Sequence, residues 1–214
     1  MLVPFPAAAC RRSRRLVLVG LCSLSVLLWA RPHAAAADEL SLDFDPAQST
    51  VTFALGAFLH SVHGTFALRQ GTIHFDPATG QADGNVVVDL ASGQSGDPKR
   101  DANMRNDVLQ VQTYPYAVFT PTHVAGRLSD GGPTGLDADG ILSIHGERHP
   151  ITLHVIAETK DGRLTVQTHM TVPYVQWGMK DPSTFLLRVA KTVDVDINAV
   201  GHASVARADG PGFR

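Results

Sequence analysis

The sequence has little cysteine, little charge and few aromatic residues. Of its 214 residues only two are cysteine, while 18% are charged and 7% are aromatic. Both cysteines, Cys10 and Cys22, lie within residues 1–37. If that stretch is removed, the remaining chain has no disulfide, no thiolate nucleophile and no cysteine metal ligand.

Residues 1–37 have the order of segments that is typical of a secretory signal peptide. Arginines at 11, 12, 14 and 15 precede an apolar run from Leu16 to Ala30, and small residues lead up to Asp38. The run of fifteen residues is shorter than the roughly 20 needed to span a bilayer. We therefore expect cleavage, no membrane anchor afterwards, and a periplasmic or secreted protein. Ser13 to Leu18 also resembles a twin-arginine signal, so the export route stays open.

The charge beyond residue 37 is acidic. Thirteen basic residues stand against 20 acidic ones, which gives a net charge near −7. Such a balance disfavours contact with a phosphate backbone. We expect no nucleic-acid partner.

The usual signatures of catalysis are also absent from the sequence. It contains no Gly-x-Ser-x-Gly elbow and no glycine-rich phosphate loop after a strand. Asp194 and Asp196 alternate with valines in the last predicted strand, so we expect them on the solvated face. The sequence therefore predicts neither an enzyme nor a cofactor.

From Asp38 onward the chain has the rhythm of β-structure. Apolar residues alternate with polar ones in about eight short runs separated by glycine-rich and Asp/Pro-rich turns, without repeated helices between them. Closing such a sheet into a barrel buries one face and removes the exposed edges. We predict an all-β domain over residues 38–202, an eight-stranded antiparallel barrel with room for one small ligand, and a flexible tail over residues 203–214.

One short helix interrupts the strands after residue 100. Asp101 is the predicted N-cap, and Met104, Val108 and Leu109 form an apolar stripe behind it. Tyr114-Pro115 ends the helical pattern, because proline lacks an N–H and restricts the residue before it.

Three blocks of sequence resemble the YceI-like family of lipocalin-like polyisoprenoid-binding proteins. The resemblance covers roughly residues 42–201. The blocks are Val51 to Gly71 with Gly64-Thr65-Phe66, Arg100 to Phe119 with Met104-Arg105-Asn106 and Tyr114-Pro115, and Gly140 to Leu153 with His145-Gly146.

The resemblance implies a lipocalin-like barrel whose cavity holds the tail of an isoprenoid quinone or a similar long lipid. Members are generally binding proteins with no established reaction. Phenyl rings supply large apolar contact areas at a low cost in side-chain entropy. The ligand-binding candidates are Phe53, Phe66, Phe75, Met104, Leu109, Phe119 and Trp177. Arg100, Asp101 and Arg105 are expected either to face a polar headgroup or to pin the helix structurally, with Arg105 paired to Asp101 across one turn.

Two other functions stay open at this point. His60, His63 and His145 offer imidazoles for a metal-dependent enzyme on the same barrel, although His60 and His63 would need a turn or bulge before both could ligate. A barrel with a collapsed interior would instead favour a protein-interaction module. The sequence also leaves open whether the barrel forms a homodimer.

Overall fold

The computed structural model describes residues 39–57, 61–129, 131–185 and 188–206. The predicted signal peptide and residues 207–214 lie outside the described residues. One α-helix, α1 (Pro98–Asn103), continues directly into a π-helical turn (Met104–Val108). The strands are β1 (Glu39–Phe44), β2 (Thr50–Gly56), β3 (Ser61–Phe75), β4 (Ala82–Gln94), β5 (Tyr116–Ala125), β6 (Thr134–Ile144), β7 (Glu147–Lys160), β8 (Arg163–Val172) and β9 (Val193–Ala206).

The nine segments occupy eight positions of one closed antiparallel barrel. β1 and β2 share a position, because both pair with β3 on one side and with β9 on the other. Residues 45–49 interrupt that shared position. From β9 each strand pairs with the one before it down to β4, and the pairing of β4 with β3 closes the ring. The prediction of an eight-stranded antiparallel barrel with one short helix is therefore confirmed.

The helix begins earlier than predicted. Its N-cap is Asp97, whose carboxylate accepts hydrogen bonds from the amides of Lys99 and Arg100, and Pro98 occupies the first turn. The prediction of Asp101 as the N-cap is wrong, since that residue lies inside the helix and is buried. The Asp-Pro pair is itself a helix-start signal, because proline costs nothing where the N–H has no partner.

The last strand also runs past the predicted boundary at residue 202. The stretch 203–206 was expected to begin a flexible tail, but it pairs with β1 from Leu42↔Ala203 to Glu39↔Ala206. Residues 203–206 have no clear periodicity, and pairing with β1, the first strand of the barrel, holds them in the sheet.

The interior divides into two clusters along the barrel axis. At the packed end, Phe44, Leu68, Ala157, Leu164 and Ala199 fill the barrel, and Leu164 has no solvent exposure. At the open end, the second cluster combines inward-facing strand residues with residues from the helical segment and from residues 174–179. In the described ranges no helix has the length and hydropathy to cross a bilayer.

Candidate functional site

A cavity of about 600 Å³ occupies the open half of the barrel. Its walls are the inward-facing positions of the strands, where alternation places every second residue inside. Nearly all of these side chains are aliphatic or aromatic. The strand residues that line the cavity are Val51, Phe53, Leu55, Val62, Phe66, Val86, Val88, Leu90, Ala117, Phe119, Leu142, Ile144, Ile151, Leu153, Met170, Val172, Val193, Val195 and Ile197.

The cavity is blind at one end and open at the other. Toward the packed end it stops against the cluster around Leu68 and Leu164. At the opposite end its lining includes the exposed residues Asp97, Lys99 and Asn103, so the cavity reaches solvent there. A ligand would therefore enter from the open end.

Two glycines let aromatic and thioether side chains pack closely in the wall. A Cβ at Gly64 would collide with the ring of Phe53 and with the carbonyl oxygen of Gln94, and a Cβ at Gly93 would lie 2.6 Å from both Phe66 and Met104. Phe53 and Phe66 consequently stand with their ring centroids 5.1 Å apart at a tilted angle of 38°. Their packing is typical of favourable aromatic pairs.

A partly buried hydrogen-bond network ties the helical segment to the end of β4. The carboxylate of Asp101 accepts hydrogen bonds from the backbone amide of Ser95, at 2.8 Å, and from the Ser95 hydroxyl. Arg100 donates to the Ser95 hydroxyl and carbonyl, both at 2.7 Å, and Arg105 donates to the carbonyl of Gly93 at 2.8 Å. The predicted pairing of Asp101 with Arg105 is wrong, since within the described ranges no ion pair joins them. Among the three charged candidates, only Arg100 lines the cavity.

Residues 173–185 and 188–192, which we call the mouth segment, form the other side of the entrance. Tyr174, Met179, Pro182 and Val189 from this segment line the cavity. The Tyr174 hydroxyl donates to the carbonyl of Ala190 at 2.8 Å, which fastens the two ends of the segment together. Burial raises the pKa of Tyr174 to about 12, with a smaller contribution from Asp181.

The mouth segment is also anchored to the barrel. The amide of Ala190 donates to the carbonyl of Gly56 at 2.7 Å, and Val189 forms a β-bridge with Ala57. Inside the segment, the carboxylate of Asp181 accepts a hydrogen bond from the amide of Ser183 at 2.9 Å. The pKa of Asp181 is lowered, first by its hydrogen bonds from Ser183 and then by nearby cations.

Five of the seven predicted ligand-binding residues line the cavity, and two do not. Phe53, Phe66, Met104, Leu109 and Phe119 line it.

Phe75 does not line the cavity, because β3 continues beyond it to the packed end, where Ile73 packs against the cluster around Leu68 and Phe75 ends the strand. Trp177 stacks on His149, with ring centroids 3.9 Å apart, and lies outside the lining. The structure thus places both residues outside the cavity lining.

The predicted histidine cluster does not assemble in the described part of the chain. His63 is exposed on β3. His145 lies in the turn between β6 and β7, where its ring packs at a tilted angle against Tyr114, and two strand positions separate β3 from β6. His60 lies outside the described residues. No group of three potential metal-ligating side chains is present among the residues that the structure describes.

Other predicted features fall where the sequence put them. Asp194 and Asp196 are exposed and accept hydrogen bonds from Thr171 and His169, at 2.7 and 2.8 Å. A pure interaction module was expected to have a collapsed interior, but this barrel contains a cavity.

The predictions from sequence named only aromatic residues and helical residues of the cavity wall. They missed the aliphatic residues, although the strand alternation marks them. The sequence contains no signal for Met179, because the mouth segment has no periodic pattern.

Comparison with known proteins gives a consistent match over the barrel. A family model described as the YceI-like domain matches residues 42–201. The chain is 31% identical over 188 residues to a UPF0312 protein of Pseudomonas savastanoi pv. phaseolicola, covering 84% of this chain and 93% of that protein. It is 30% identical over 144 residues to a UPF0312 protein of Vibrio cholerae, covering 66% and 72% respectively.

Two solved structures share the fold. A polyisoprenoid binding domain from Saccharophagus degradans superposes with a TM-score of 0.61 at 21% identity, covering 76% of this chain and 98% of that one. Burkholderia cenocepacia BcnA superposes with a TM-score of 0.60 at 23% identity, covering 74% and 99%. Since the family model matches residues 42–201, which make up most of the barrel, this chain belongs to the YceI-like family.

Proposed function

We propose that this protein binds the apolar chain of a long isoprenoid lipid in the barrel cavity and sequesters or carries it in the periplasm or outside the cell. The observation that carries the proposal is the apolar cavity, which is blind at the packed end and open beside α1. Sites for small apolar ligands are typically concave, largely preformed and lined by hydrophobic side chains. The Saccharophagus degradans neighbour, described as a polyisoprenoid binding domain, supports this ligand class.

The volume of the cavity limits how much chain it holds. A carbon of a hydrocarbon chain takes roughly the volume of one water molecule, about 30 Å³, so 600 Å³ accommodates on the order of 20 carbons. That is about four five-carbon isoprene units. Because the packed end is filled, any further length stays at the open end.

The energetics favour a preformed site. Burying about 20 carbons at about 0.8 kcal/mol each contributes roughly 16 kcal/mol. Association costs about 4–15 kcal/mol, and a rigid, preorganised site keeps this cost toward the lower end. Micromolar or tighter binding follows. The same roughly 16 kcal/mol is the cost of exposing the apolar chain of the lipid to water. Single lipid molecules are therefore scarce in water, and the lipid needs a carrier.

The polar end of the lipid remains at the entrance in this proposal. Ser95, Lys99, Arg100 and Asn103 line the cavity there and supply hydrogen-bond donors. A quinone carbonyl or another polar headgroup would accept hydrogen bonds from them. Arg100 already donates to Ser95, which fixes its guanidinium beside the entrance.

A chain-length series tests the proposal. The delipidated protein is titrated with isoprenoid alcohols of increasing length, and Trp177, the only tryptophan beyond residue 37, reports binding by fluorescence. We expect affinity to rise with each isoprene unit and to level off at about 20 carbons, because further units find no apolar wall. Affinity that does not depend on chain length would contradict the proposal.

A further inference from the structure

The barrel wall parts between β7 and β8 at the open end. The two strands pair with each other only as far as Val155↔Thr168. There the hydroxyl of Thr168 donates to the carbonyl of His154 at 2.8 Å, which fixes the point where the strands separate. Beyond it, in the part of the chain that the structure describes, residues 147–153 of β7 pair only with β6, and residues 170–172 of β8 pair only with β9. We call the unpaired stretch between these two sets of residues the seam.

The cavity lies directly behind the seam. Ile151 and Leu153 on β7 line it, and so do Met170 and Val172 on β8. Opening the wall between β6 and β7 would separate paired residues along the whole of β6. Opening the seam separates no paired residues, so the wall resists opening less here than between β6 and β7.

The first turn of the mouth segment crosses the rim of the seam. It follows β8 directly and brings Trp177 onto His149 of β7, where the two rings stack with their centroids 3.9 Å apart and their planes at 8°. The turn is closed by its own backbone, since the amides of Trp177 and Met179 donate to the carbonyls of Pro173 and Tyr174, both at 3.0 Å. Among the described residues no hydrogen bond joins this turn to β7, so ring stacking and apolar packing hold it there.

The imidazole of His149 makes no hydrogen bond that would strengthen this closure. Its side chain is 14% exposed, and its Nε2 is buried without a hydrogen-bond partner among the described residues. A carboxylate oxygen of Glu147 lies 3.9 Å from that nitrogen, beyond hydrogen-bond distance. Moving Trp177 away would give Nε2 access to water, which offsets part of the lost stacking.

A blind cavity is difficult to fill from one end, because whatever leaves it must pass the entering chain. We propose that the seam is a side gate of the cavity, closed by the stack of Trp177 on His149, and that it opens to let the apolar chain of the lipid enter or leave sideways. The proposal rests on the proposed function and adds how the site is loaded. Neither ring lines the cavity, so the gate sets the rates of binding and release and leaves the affinity unchanged.

Matched substitutions at two histidines test the gate. His149→Asn removes the ring that stacks on Trp177. His145→Asn removes a ring that packs on Tyr114, with centroids 4.7 Å apart, in the turn between β6 and β7 and away from the seam. Uptake and release of a dansyl-labelled isoprenoid alcohol are followed by stopped-flow fluorescence, with the chain beginning at residue 38.

We expect His149→Asn to raise both rate constants together by about two- to tenfold, the factor that one aromatic pair is worth, at an unchanged Kd. His149→Phe restores a ring and should return both rates toward those of the parent protein. His145→Asn should leave the rates unchanged. Parent rates in His149→Asn, or equal increases in His149→Asn and His145→Asn, would overturn the gate.

A reversible cross-link tests the gate from the opposite direction. Residues 38–214 contain no cysteine, so the double variant His149→Cys, Trp177→Cys carries thiols only at the two positions that meet at the rim of the seam. A bismaleimide with a reducible bond then joins them. The cross-linked protein should take up and release the alcohol at least tenfold more slowly than the same protein after reduction. Equal rates before and after reduction would overturn the gate.

The gate and the proposed function fail in different measurements. If the parent protein binds the alcohol and neither His149→Asn nor the cross-link changes the rates, the gate falls alone. If the parent protein does not bind the alcohol, the proposed function falls and the gate falls with it.

Discussion

Filling the cavity with a larger side chain should abolish lipid binding while the barrel stays folded. Ala117 on β5 is 9% exposed and lines the cavity, opposite Val88 of β4. Ala117→Trp places nine more heavy atoms into a space that holds on the order of 20 carbons. At about 0.8 kcal/mol per methylene displaced, binding loses about 7 kcal/mol. That loss corresponds to roughly five orders of magnitude in affinity.

The assay compares lipid recovered per barrel and affinity for a twenty-carbon isoprenoid alcohol between parent and variant. Val118→Trp is the matched control, because Val118 is the next residue of β5 and alternation points it away from the cavity. Thermal unfolding should show that Ala117→Trp remains cooperative, since the new ring enters empty space. A folded Ala117→Trp variant with the parent affinity would refute the assignment of this cavity as the ligand site.

Three further predictions concern the framework around the entrance. Asp101→Ala should destabilise the fold by about 1.5–3 kcal/mol in urea unfolding, because it leaves the Ser95 amide and hydroxyl without their buried acceptor; an unchanged midpoint would contradict the network. The pKa of Asp97 is lowered, first by the hydrogen bond from the amide of Arg100. The stability that the Asp97 carboxylate contributes is therefore complete above pH 3.8, the ordinary pKa, and is lost as the pH falls through the lower pKa of the folded state. Asp97→Asn should therefore flatten the fall in stability below pH 3.8, and an identical slope would argue against this cap. In an absorbance titration of the phenols, one tyrosine should ionise at about 12 and vanish in Tyr174→Phe; titration of all three near 10 would contradict its burial.

Local patterns were sufficient to predict the barrel. The alternation along Val51, Phe53 and Leu55 and along the valines of β4 marks one face of each strand for burial. Closing eight such strands into a barrel buries every apolar face and removes the exposed edges. The wall of the cavity follows from the same alternation, so most of it was implicit in the strands.

The features that sequence reasoning missed depend on partners far along the chain. Phe75 lies away from the cavity because β3 continues to the packed end of the barrel, where Phe75 pairs with Leu40 of β1 and Ala82 of β4. The stretch 203–206 is strand only because β1 pairs with it. The mouth segment is fixed by contacts such as Tyr174 with Ala190, which no periodic pattern encodes.

The helical segment shows a competition between two local signals. Asp101 precedes an apolar stripe and was predicted as the N-cap, but Asp97 is followed by proline and takes that role. Asp101 then becomes free to bind Ser95, which turns a predicted cap into a buried structural acceptor.

The most direct test of lipid binding is mass spectrometry of an organic-solvent extract of the protein, purified without detergent from its native compartment. We expect a long isoprenoid near one molecule per barrel, and its mass identifies both the chain and the headgroup. An extract without lipid, from a folded protein that also fails to bind isoprenoid alcohols added afterwards, would contradict the account.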